Sequence, residues 1–122
     1  MTRTAAAFAG RGYQVILEGI FGPWFLPVVA DELRPTRLAV HHVVLHAPLD
    51  VALSRVQRRI GHERDHVVQQ LYAAFRDLGP YAAHVVDTGL RDAEAVASGL
   101  DSLLDRGAFI LDISRVPSPG LP

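Results

Sequence analysis

The chain contains no cysteine, no lysine and no asparagine. Without cysteine there is neither a disulfide framework nor a thiolate metal site. All 12 basic residues are arginine. No side chain can therefore serve as a phosphate-loop lysine, a Schiff-base lysine or a lysine general base. Charge of one sign is also lacking. The net charge is −1, so no general field draws the chain to nucleic acid polymers or to an anionic membrane. No apolar run approaches the roughly 18 residues that a spanning helix needs. The start, "MTRTAAAFAGRGY", is too short and too mildly apolar for a signal peptide. These absences favour a cytoplasmic location.

What is present is an ordinary globular composition. Hydrophobic residues make up 49% and charged residues 20% of 122 positions, which suits one domain of α or α/β class. The Ala-rich stretch 2–9 predicts a helix closed by Gly10 and Gly12. "YQVILEG" reads as a short buried strand entering a turn at Gly19. "GIFGPWFLP" is a loop, and "VVADELR" a short helix stopped by Pro35. "LAVHHVVLH" is a nearly continuous apolar run, as expected of a parallel strand covered on both faces. Its histidines His41, His42 and His46 read as packed or strand-edge residues rather than as ligands.

Pro48 stands where a helix would begin. Leu49, Leu53, Val56 and Ile60 share one helical face, and Gly61 is a C-terminal stop. Asp65 is a candidate N-cap for a second helix, whose stripe of Val68, Leu71, Tyr72, Phe75 and Leu78 ends at Gly79-Pro80. "AHVVDTG" predicts another strand. Asp92 predicts the cap of a last helix burying Val96, Leu100, Leu103 and Leu104. "AFILDI" predicts an edge strand, and residues 113–122 form a loose Pro-rich tail. Strands alternating with helices predict a three- or four-stranded, mainly parallel sheet flanked by helices.

"GHERDH" contains an H-E-x-x-H string, His62 to His66. On a continuous helix such a string can hold zinc and place a carboxylate to activate water, which keeps a zinc-dependent hydrolase as one reading. Gly61 as a helix stop and Asp65 as the next helix start favour a solvated polar turn instead.

"LHAPLDVALSRVQRR" carries a different pattern: a buried strand, a turn, and a helix bearing Arg55, Arg58 and Arg59. Arg55 and Arg59 stand four apart and share a helix face. Guanidinium planes stack on rings, and their forked donors fit phosphate oxygens. "GYQVILEGIFG" and "YAAHVVDTG" follow in matching order and spacing. Together they resemble the nucleoside-monophosphate-kinase-like branch of P-loop kinases, including small phosphotransferases of the chloramphenicol phosphotransferase type. The resemblance runs from about Gly12 to Phe109. Each motif is weak by itself; their order is more specific.

The resemblance implies a P-loop NTPase-like domain over residues 1–112, with ATP and magnesium as cofactors and a small-molecule phosphate acceptor. It implies Arg55 against the adenine, Arg59 on the phosphates with Arg58 beside it, and Asp87, Thr88 and Gly89 behind the adenine. Glu18 falls where relatives carry an Asp near the magnesium water shell; it is one methylene longer. Phe21, Trp24 and Phe25 would face the acceptor. Glu18 and Arg59 would be the catalytic groups. Each position also has a simpler reading: a solvated helix face for the arginines, a strand-end carboxylate for Glu18, core or oligomer contact for the aromatics, turn chemistry for Asp87 and Thr88.

The family's first strand and its G-x-x-x-x-G-K-[ST] loop do not occur in this chain. That loop supplies the amide cradle, a cation at the β- and γ-phosphates and a hydroxyl on magnesium. The expectation is therefore the C-terminal two-thirds of a kinase, with Met1 an internal start and catalysis weak or nil. The missing strand would leave open sheet edges and favour a homodimer. A non-catalytic α/β interaction module is the alternative.

Overall fold

A computed structural model of the chain describes residues 1–120 and is of α/β class. It divides into two compact units, one formed by residues 1–41 and the segment from 110 on, the other by residues 42–109.

In the first unit, α1 (Thr2–Ala9) packs against α2 (Leu26–Leu33). Pro27 near the start of α2 costs nothing there, because the first-turn amides have no intrahelical acceptor. Leu26, Ala30 and Leu33 recur at helical spacing and are all buried. The chain then turns through Arg34–Thr36 and reaches Arg37, whose φ of 54° is left-handed. Residues 113–118 do not form a loose tail. Val116 is buried, and Arg34 donates to its carbonyl while also pairing with Asp31. The end of the predicted tail, residues 121 and 122, lies outside the described residues.

The second unit holds the sheet. β1 (Val44–His46) and β2 (Val85–Asp87) run parallel, with Val44 opposite Val85, Leu45 opposite Val86 and His46 opposite Asp87. Val44 and Val86 are buried; standing one register step apart, they lie on opposite faces of the pair. Between them lie α3 (Leu49–Ile60), α4 (Asp65–Ala74) and a 3₁₀ turn over Gly79–His84; α5 (Ala93–Asp105) follows β2. α3 begins after Pro48, carries Asp50 in its first turn and Arg58 and Arg59 in its last, and ends at Gly61. That polarity of charge complements the helix dipole. α5 begins as expected, with the Asp92 carboxylate accepting from Ala95 N at 2.8 Å.

The sheet has two strands among the described residues, not three or four. Residues 14–19 form no strand, and Ile16 is 88% exposed. Their alternation suits a strand, but a strand also needs a neighbour to bond, and periodicity does not supply one. "AFILDI" makes a single antiparallel bridge, His41 to Ile110, instead of an edge strand. α4 stops four residues short of Leu78. Asp77 accepts from Gly79 N at 3.0 Å, a local turn that competes with helical bonding, and Leu78 is buried beyond it. Asp65 is the first residue of α4 and not its cap; its carboxylate is held by other side chains, described below.

Candidate functional site at the ends of the parallel strands

In open parallel sheets the crevice beyond the carboxyl ends of the strands is the usual place for a ligand. Here that place is built from His46, Pro48, α3 and the turn after β2. Thr88 N donates to the His46 carbonyl at 2.7 Å, and Thr88 Oγ1 donates to the same oxygen at 3.2 Å. Asp87 Oδ1 accepts from Gly89 N at 2.7 Å, which closes a tight Asx turn. Gly89 is required at this point by proximity. A Cβ on it would lie 2.7 Å from Pro48 Cδ and 3.1 Å from Asp87 Oδ1.

Arg55 reaches this turn from the second turn of α3. Its Nη2 donates to Thr88 O at 2.8 Å and its Nη1 to Thr88 Oγ1 at 3.3 Å. Two edge donors are thus committed to the turn, and the orientation of the guanidinium plane is fixed. Arg55 is nevertheless exposed. Four of the candidates read from sequence, Arg55, Asp87, Thr88 and Gly89, meet here. Arg58 and Arg59 are exposed on the last turn of α3, and Arg58 Nε stands 3.5 Å from the Ser54 carbonyl. The Arg59 side chain forms no hydrogen bond or ion pair to another described residue.

Two residues of this cluster are not candidate site residues in the sequence reading. Arg91 Nη2 donates to the Asp87 carbonyl at 2.9 Å, so the turn is clasped from both sides. The other is Pro48, noted as a helix start but not as the wall behind Gly89. Arg91's four-residue spacing from Asp87 was the available cue. Nearby, the His84 ring nitrogen Nδ1 lies 2.7 Å from the His42 carbonyl, and the His46 ring lies 5.4 Å from that of Tyr72. Of the three histidines read on the strand, His42 and His46 lie against rings, and His41 is exposed.

Glu18, Phe21, Trp24 and Phe25 belong to the other unit. Glu18 is exposed. Phe21 and Phe25 stack at 5.2 Å, and the Trp24 indole covers Gly22 so closely that a Cβ there would overlap it.

The one-helix geometry that a zinc reading needs is not formed at "HERDH". Residues 61–64 are a turn and α4 begins at Asp65. His62 Nδ1 lies 2.9 Å from Asp65 Oδ2, and Gln57 Nε2 donates to both Asp65 oxygens at 3.1 Å. The His62 and Gln57 hydrogen bonds hold the Asp65 carboxyl below its ordinary pKa. Among the described residues no group of three or more His, Asp or Glu side chains is placed to hold a metal ion.

No family model matches this chain, and no curated protein matches it. No helix among the described residues is long and apolar enough to cross a membrane.

Proposed function

We propose that this chain is the part of an ATP-dependent small-molecule phosphotransferase that follows the phosphate-binding loop, with a P-loop-kinase-like fold. One observation carries the reading: Arg55 is anchored by its edge to the turn beyond the carboxyl end of β2. An arginine fixed in that way leaves its flat face for a ring. Adenine stacking on a guanidinium face is favourable by about 0.5–2 kcal/mol, and the plane is oriented before the ligand arrives. The Asp87–Gly89 turn borders the same space. Arg58 and Arg59, further along α3, are the cations for the phosphates. The roles of Glu18 toward magnesium and of Phe21, Trp24 and Phe25 toward the acceptor rest on the sequence resemblance alone.

Phosphoryl transfer depends on positioning and on neutralising charge at the transferred group. With no phosphate-loop lysine in the sequence, the expected turnover is negligible and the expected activity is weak nucleotide binding. Calorimetric titration with magnesium-ATP tests this. The expected result is binding in the high-micromolar to millimolar range, weakened roughly tenfold in Arg55→Ala, a loss of about 1.4 kcal/mol. No heat of binding up to about 10 mM ATP, equivalent to less than about 3 kcal/mol of affinity, contradicts the proposal.

A non-catalytic interaction module is favoured by a separate observation, the unpaired stretch that follows α1.

A further inference from the structure

The turn after β2 commits most of its hydrogen-bonding groups to the fold. Thr88 N and Thr88 Oγ1 both donate to the His46 carbonyl, and Gly89 N donates to Asp87 Oδ1. The Asp87 carbonyl accepts from Arg91. The Thr88 carbonyl accepts from Arg55, which also donates to Thr88 Oγ1. One side-chain oxygen is left over. Asp87 Oδ2 forms no hydrogen bond or ion pair to another described residue, and Asp87 is exposed. An Asx turn needs a single oxygen. The second is surplus to the turn, and as part of a carboxylate it can only accept.

We infer that Asp87 Oδ2 accepts from the exocyclic amino group of adenine, and so selects ATP over a purine nucleotide that lacks this group. The inference rests on the nucleotide reading above and adds the residue that chooses the base. The Arg55 face does not choose, because every base has a ring to stack. The two residues act on one ligand. The Arg55 plane is anchored to Thr88, the neighbour of Asp87, and a base lying on that plane has the turn along its edge. The aim of Oδ2 is restrained as well, since the other oxygen of the carboxylate is held by Gly89 N at 2.7 Å. A hydrogen bond from an amino group to a carboxylate is charge-assisted and stronger than a neutral one. Purine riboside triphosphate is ATP with a hydrogen in place of the amino group. It keeps the ring for Arg55 and the phosphates for Arg58 and Arg59, and offers Oδ2 nothing at that point. Asp87 is thus a specificity-determining residue with no part in the transfer step.

The test is an NMR titration of the isotope-labelled full chain with the magnesium salts of the two nucleotides, following the backbone amides of residues 85–91. The parent chain should bind ATP about tenfold more tightly than purine riboside triphosphate. Asp87→Asn keeps an oxygen for Gly89 N and turns the other end of the side chain into a donor. In that variant the preference for ATP should vanish. Removing the charge of Asp87 changes its repulsion from the phosphates equally for both nucleotides, so the ratio of the two affinities isolates the contact with the base. The comparison in the parent chain needs no variant, and so does not depend on how well Asp87→Asn folds. Equal affinities in the parent chain overturn the inference and leave the nucleotide reading standing. A tenfold preference that persists in Asp87→Asn does the same. If neither nucleotide shifts these amides, both fall together.

Discussion

Arg55 is held by geometry more than by charge. Its two bonds to Thr88 need a planar fork, which a lysine ammonium does not provide. Arg55→Lys should therefore behave like Arg55→Ala in ATP titrations, although the charge is kept; restored binding in the lysine variant would mean that only charge matters. Gly89 is fixed by the Pro48 ring, which cannot swing aside as a flexible side chain would. Gly89→Ala should cost about 1–3 kcal/mol, seen as a lower urea midpoint at unchanged slope. Asp65 makes a pH prediction. Its carboxyl is depressed in the folded chain by His62 and Gln57, so the unfolded chain binds the proton more readily. The stability this supplies is complete above the ordinary value of 3.8 and is lost as pH falls through the lower folded value. The stability difference between the parent chain and Asp65→Asn should hold steady in acid down to about the ordinary value of 3.8 and shrink as the pH falls further.

At the scale of elements, the hairpin of α3 and α4 shows what was legible from sequence and why. The limits of α3 were readable because Pro48 and Gly61 are physical punctuation. Gly61 has φ 75° and ψ −159°, a region open almost only to glycine, and nothing lies within 4 Å of where its Cβ would be. Gly61→Ala should thus cost about 1–3 kcal/mol from backbone strain alone. Asparagine, which tolerates the ordinary left-handed region, should not rescue it; chemical denaturation of both variants checks this. Asp92 was equally legible as a cap, since a cap needs only its own amide three residues on. The strands were less so. β1 and β2 were found but their lengths were overestimated, and residues 14–19 were read as a strand that has no partner. Pairing is a relation between distant segments, and alternation within one segment cannot report it. Asp65 failed as a cap for a related reason: Gln57, eight residues away, claims its carboxylate.

For the molecule as a whole, the α/β class followed from the alternation of elements, while the number of strands did not. The core is thin. Among the described residues ten hydrophobic side chains are buried, and no large one is completely so. Stability should lie at or below about 5 kcal/mol, the low end for natural domains. A ligand that binds only the folded chain must then raise the melting temperature with concentration. The most direct test of the nucleotide reading is photolabelling with 8-azido-ATP, followed by peptide mapping. Label on the peptide carrying residues 85–91 or on the start of α3, competed by ATP and reduced in Arg55→Ala, is the predicted result. Label confined to other peptides, or label that ATP does not compete, contradicts the account.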